Sequence, residues 1–192
     1  MARVRDIGPA ELPPEARAVY ERFVAGYGPF RDQVAVFAHC PPAVTHLMAL
    51  LLELRAAGKV KRRYLELAIV VVSKLNECHY CVAHHKPMLM VEGLSSAGAD
   101  RVLEYRDHPE FDDTDRLVVE YTIAVTNNPQ RIGDALFARL RARFGEAEIV
   151  ELTLRIALCG FFNRFNDALQ IEDASAREAA HAETAHPELT RA

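Results

Sequence analysis

Apolar residues along this chain recur at helical spacing rather than alternating. Val44, Leu47, Met48, Leu51, Leu52 and Leu54 follow in steps of one to three, a stripe that predicts a helix opening at Pro41–Pro42 and ending before Gly58. A helix is expected over Glu15–Ala25, entered through Pro13–Pro14 and stopped by Gly26 with Gly28–Pro29. Lys61–Leu75 is almost wholly apolar beyond its basic start and reads as a central core helix. A fourth helix runs from about Cys78 to Val91 and stops at Gly93, and Ser95 or Ser96 is placed to cap a short fifth. Beyond a polar loop at Asp107–Asp113, helices are expected near Thr114–Thr126, Asp134–Phe144 and Glu146–Gln170. Val70–Val72 could be a buried strand on composition, but no hairpin signal lies near it. The pattern predicts an all-α fold in a single domain over residues 1–192, with a polar, Ala/Glu/His-rich tail from Glu172.

Composition narrows the function. With 23 Lys and Arg against 27 Asp and Glu, the net charge of −4 argues against a basic nucleic-acid binder. The longest aliphatic runs, Leu47–Leu52 and Leu67–Val72, fall far short of the ~20 residues that span a bilayer. Met1–Gly8 lacks the character of a secretory leader, so a cytoplasmic location is expected. No Gly-rich phosphate loop or dinucleotide fingerprint is present, and neither a nicotinamide nor a flavin cofactor is expected.

The chemistry concentrates in Glu66–His85. Cys78 and Cys81 are three apart and His85 is four beyond Cys81, so at about 100° per residue all three project from one helix face. His84 lies about 60° beyond Cys81 on the side away from Cys78, and reads as a surface residue or pocket wall. Glu66 stands twelve residues before Cys78, about 18 Å away along a continuous helix. A break at Asn76 would fold the two helices together and bring Glu66 to the Cys/His face. A helix start and a neighbouring imidazole both favour a thiolate, and a second thiol can resolve a sulfenic acid into a disulfide. Plainer readings stand beside this one. The cysteines could be small buried hydrophobes, Glu66 could pair with Arg62 or Arg63, and Tyr80 could be core packing. Cys78, Cys81 and His85 could also hold zinc with Glu66 or His84 as fourth ligand. Cys40 and Cys159 have no visible chemical partner, and Pro87 would cost its helix the bond to Ala83.

The spacing Glu, eleven residues, Cys, two residues, Cys, three residues, His resembles the signature of the alkylhydroperoxidase AhpD-like branch of the carboxymuconolactone decarboxylase superfamily. The resemblance covers roughly Pro41–Gln170 and includes Gly93-Leu94-Ser95 and Phe161-Phe-Asn163-Arg164-Phe-Asn166. It implies a helical bundle, assembly into homo-trimers or hexamers, and reduction of hydroperoxides at the expense of a thiol or dithiol reductant. It further implies that Cys81 is the peroxidatic cysteine, Cys78 its proton donor and resolving partner, and Glu66 with His85 the proton relay. The helix-start argument alone favours the opposite order, because Cys78 is nearer the helix start. Tyr80 departs from the pattern, standing where AhpD proper has a relay histidine. A muconolactone-type decarboxylase is the alternative within the superfamily, and a redox-sensing or zinc-binding module the alternative outside it. Aligning Glu66, Cys78, Cys81 and His85 with Glu151, Asn163, Asn166 and Gln170 suggests a weak internal repeat in which only the first copy kept cysteines.

Overall fold

The computed structural model describes residues 2–171 and, among these, only helices and connecting turns. Val70–Val72, the run whose composition left a strand open, is helical. Nine α-helices are present among the described residues: α1 (Pro14–Gly26), α2 (Arg31–Phe37), α3 (Ala49–Ala57), α4 (Arg62–Leu75), α5 (His79–Val91), α6 (Ser96–Asp100), α7 (Asp113–Asn127), α8 (Asp134–Arg141) and α9 (Glu146–Leu169). The backbone falls into two compact units. Among the described residues, one holds 2–56 together with 166–171, and the other is Ala57–Phe165. The tail expected from Glu172 lies outside the described residues.

In the first unit, Ala16, Val19, Tyr20 and Phe23 form the buried face of α1. Val34–Phe37 of α2 are buried as well. The sequence pattern gave no sign of α2, because it is short and buries Asp32 and Gln33 along with its apolar residues; Gln33 donates to Asn166 Oδ1 at 2.9 Å. Ala43–Met48, expected as the start of an ordinary helix, winds as a π-helical turn before α3.

The second unit has a continuous apolar core. Leu67–Val72 of α4 pack with Leu89, Leu117–Val119, Leu140, Leu152 and Ile156. Burying such side chains contributes about 1.5–3 kcal/mol each, which makes α4 the axis of this unit. Ser95 caps α6, accepting from the Gly98 amide at 2.9 Å. Asp112 and Asp115 form a reciprocal capping box at the start of α7. Helix α8 ends at Arg141, three residues short of the expected Phe144, whose ring is buried edge-on against Tyr64.

The proposed internal repeat does not extend to the backbone. Glu66–His85 is interrupted between α4 and α5, whereas Glu151 and Asn163 lie in one unbroken helix. That helix contains no turn residue equivalent to Asn76-Glu77 that could fold it back on itself.

Candidate functional site

The site begins with the way α4 ends. Glu77 adopts a left-handed backbone, φ 57°. Its amide donates to the Lys74 carbonyl at 3.2 Å, and the Cys78 amide donates to the Ser73 carbonyl at 2.9 Å. This pair of reversed bonds is a Schellman stop, with Glu77 in the position usually taken by glycine. It satisfies the terminal carbonyls of α4 and turns the chain straight into α5, for which Cys78 is the N-cap. The break expected at Asn76 is therefore present, and it is made by the two residues after it as well.

Cys78 and Cys81 are both buried, and their Sγ atoms are 2.8 Å apart. That separation is short of ordinary non-bonded contact but beyond the ~2.05 Å of a disulfide, so neither cysteine is in a disulfide. Cys78 has extended, not helical, backbone angles, so the helical-wheel arithmetic does not describe it, although the sulfurs still converge. Both residues belong to the first turn of α5, so the helix-start argument does not distinguish one from the other.

One turn beyond Cys81, His85 Nδ1 lies 2.8 Å from Glu66 Oε2. Glu66 is 7% exposed on α4. Its other oxygen is 3.7 Å from Arg62 Nε, and that guanidinium is shared with Glu92 at 3.5 Å. Both sequence readings of Glu66 thus meet at one carboxylate, with the imidazole on the short contact and the arginine on the long one. His84, expected at the surface, is buried. Its ring meets the ring of buried Tyr80 edge-on at a centroid distance of 4.2 Å, because residues four apart on a helix are neighbours. Pro87 lies inside α5.

Two sulfurs sharing a zinc ion at about 2.3 Å each would stand roughly 3.8 Å apart, wider than the 2.8 Å seen here. Among the described residues, no three His, Cys, Asp or Glu side chains converge in a way that could hold a metal ion. Also among the described residues, no helix is long and apolar enough to cross a membrane.

Sequence reasoning left Cys159 without a partner. It is buried in α9, with its Sγ 3.5 Å from Ser73 Oγ and 3.6 Å from the Ile69 carbonyl. Burial pushes its thiol up to about 12, against the opposing effect of the Ser73 and Asn163 hydrogen bonds. Asn163, completely buried, accepts from Asn76 Nδ2 at 2.8 Å and donates to Ser73 Oγ at 3.3 Å. The available signal was an amide at a core position of an otherwise apolar helical stripe.

Residues 41–105, which contain Glu66, both cysteines of the pair and His85, match the profile of the carboxymuconolactone decarboxylase family. That segment is a carboxymuconolactone decarboxylase family domain by its sequence match. The Cys-x-x-Cys helix, α5, lies in the second unit. The uncharacterized protein YnjA of Escherichia coli (strain K12) is 33% identical over 100 residues, which are 52% of this chain and 55% of that one, so the match spans about half of each. A protein of unknown function from Agrobacterium tumefaciens, proposed to be an AhpD antioxidant defence protein, is 26% identical with a TM-score of 0.65, covering 72% of this chain and 94% of that one. An uncharacterized peroxidase-related protein with an AhpD core from Ralstonia eutropha JMP134 has the same fold, with a TM-score of 0.73 at 20% identity over 90% of this chain and 92% of that one. The debrominase Bmp8, in complex with 2,3,4-tribromopyrrole, also shares the fold, with a TM-score of 0.73 at 18% identity over 94% and 96% of the two chains. The fold therefore hosts more than one chemistry.

Proposed function

We propose that this protein reduces hydroperoxides through the Cys78/Cys81 pair, drawing electrons from an external thiol or dithiol. The observation that carries the reading is two thiols 2.8 Å apart, at the N-cap and in the first turn of α5, one turn from an imidazole held by a buried carboxylate. The peroxidase-related and antioxidant descriptions of the Ralstonia and Agrobacterium relatives support it.

In this reading Glu66 accepts a hydrogen bond from His85 Nδ1–H, which leaves proton exchange to Nε2. His85 takes the thiol proton, and the first turn of α5 favours the resulting anion. The Cys81 thiolate attacks the distal oxygen of the hydroperoxide. The O–O bond breaks, Cys81 becomes a sulfenic acid, and the alkoxide leaves as an alcohol after taking a proton delivered through Cys78 and the relay. The Cys78 sulfur then displaces hydroxide from Cys81 as water, forming the Cys78–Cys81 disulfide. Two equivalents of thiol, or one dithiol, restore both cysteines and leave as a disulfide. The buried Tyr80–His84 ring pair on α5 would border the substrate in this reading. Exposed Val91, Val150 and Phe161 support assembly into a homo-oligomer.

The test is consumption of an alkyl hydroperoxide with dithiothreitol as reductant. Wild type should turn over, and Cys81→Ser should lose at least a hundredfold. Cys78→Ser should stop at a trapped sulfenic acid on Cys81. Equal rates in wild type and Cys81→Ser would overturn the reading, and trapping on Cys78 in the Cys81→Ser protein would exchange the two roles.

A further inference from the structure

We propose that Asn163 is a positioning residue for the dithiol, fixing the turn that carries Cys78 and thereby setting how readily the pair closes into a disulfide. The proposal rests on the reading of Cys78 and Cys81 as a redox couple, and it names a determinant of that couple outside the Glu66/His85 relay.

Asn163 has no solvent exposure, yet it lies on the face of α9 that meets the apolar α4. A buried amide costs about 1–3 kcal/mol for each unmet hydrogen-bonding group, so its retention here requires partners. It has them on both ends. Oδ1 accepts from Asn76 Nδ2 at 2.8 Å, and Nδ2 donates to Ser73 Oγ at 3.3 Å. Ser73 and Asn76 straddle the end of α4, and the Ser73 carbonyl receives the Cys78 amide. One side chain on α9 therefore grips the Schellman stop at two points, two and five residues before Cys78. An aliphatic residue would fill the same volume but would supply no directional hold.

Held this way, the turn keeps the Cys78 sulfur 2.8 Å from that of Cys81. Closing the bond needs less than 1 Å of further approach. A pair already placed side by side has a high effective concentration of one thiol for the other, which stabilises the disulfide against intermolecular reductants. Releasing the turn should lower that effective concentration. In the exchange equilibrium the disulfide and a dithiol reductant give two protein thiols and the oxidised reductant, with two electrons and two protons transferred, so the shift should favour the protein dithiol.

The test equilibrates the full-length protein with defined mixtures of reduced and oxidised dithiothreitol, quenches by alkylation, and measures the Cys78–Cys81 disulfide fraction by peptide mass spectrometry. Asn163→Ala and Asn76→Ala should each shift the exchange constant toward the dithiol by about tenfold, equivalent to about 30 mV. Thr153→Val, which removes the 2.6 Å Tyr121–Thr153 contact elsewhere on α9, should lower the melting temperature without moving the exchange constant. If Asn163→Ala does not fold, half-buried Asn76 decides the matter through its own variant. An exchange constant within twofold of wild type in Asn76→Ala overturns the positioning role and leaves the redox couple standing. A wild type that forms no Cys78–Cys81 disulfide in any mixture overturns both.

Discussion

Glu66 on α4 and His85 on α5 meet at 2.8 Å across nineteen residues of sequence, inside a helical hairpin whose turn carries Cys78. Glu66 also lies 3.7 Å from Arg62, so a relay through His85 and an ion pair with Arg62 make different predictions. His85→Ala should lower kcat/KM for hydroperoxide by 10²–10⁴-fold. It should also destabilise the fold by about 1–3 kcal/mol, since the buried carboxylate loses its close partner. Arg62, about half exposed, should matter little: Arg62→Ala should cost at most about 1 kcal/mol and leave the rate within a few-fold. Steady-state kinetics and urea unfolding of the two variants side by side check both parts. The opposite ranking would make Glu66 the partner of Arg62.

Much of this hairpin was legible beforehand, because the sequence states it in two languages at once. The apolar run from Leu67 to Val72 defines the core helix α4 with Glu66 beside it, and Cys78, Cys81 and His85 follow in steps of three and four where α5 begins. The details of the turn were less visible. Nothing in composition marks Glu77 as a left-handed residue, because glycine is the usual signal at such a stop. His84 was misplaced at the surface because a helical wheel gives direction without saying what packs there, and here Tyr80 covers it. The π-helical turn at Ala43–Met48 leaves the same apolar spacing as an α-helix over so short a run. In the sequence, Asn163 stands out only as the formal counterpart of Cys78 in a repeat. Its actual partner is Asn76, through a contact 87 residues apart in sequence that no periodicity encodes.

The positive φ of Glu77 gives a stability prediction. A non-glycine residue in the left-handed region bears a penalty of about 1–2 kcal/mol that glycine avoids, offset in part by glycine's greater freedom when unfolded. Glu77→Gly should therefore raise stability by up to about 1 kcal/mol, measured by urea unfolding, with the Cys78–Cys81 geometry unchanged. A loss of 1 kcal/mol or more would show that the Glu77 side chain contributes an interaction of its own.

Arg63 and Asp115 make an enclosed ion pair in the second unit. Arg63 Nε and Nη2 donate to the Asp115 carboxylate at 3.0 and 2.7 Å, and Asp115 is 1% exposed. Arg63 also donates to the carbonyls of Glu92 and Glu110, so it ties the end of α5 to the start of α7. Asp115→Ala leaves that guanidinium partly buried without its counter-charge and should cost about 3–5 kcal/mol in thermal or urea unfolding. A change below 1 kcal/mol would mean that solvent already screens the pair.

Cys159 supplies a pH dependence. Its thiol is pushed up to about 12 in the folded protein, chiefly by burial, from an ordinary value of 9.0. Folding thus favours the protonated form, and the stabilisation is fully present below about pH 9. It is lost between about pH 9 and 12, as the unfolded chain releases a proton that the folded chain retains. Cys159→Ala should flatten alkaline destabilisation over that window by on the order of 1 kcal/mol per pH unit, as a difference from wild type. Parallel curves for the two proteins would show that Cys159 ionises equally in both states. In the folded protein at neutral pH, iodoacetamide should label exposed Cys40 and spare Cys159.

The most direct measurement treats the fully reduced protein, without added reductant, with one equivalent of alkyl hydroperoxide and maps its cysteines by peptide mass spectrometry. The account predicts one equivalent of alcohol, a protein two hydrogens lighter, and a single disulfide joining Cys78 to Cys81, with Cys159 still a thiol. Unchanged Cys78 and Cys81 thiols alongside intact hydroperoxide would contradict it.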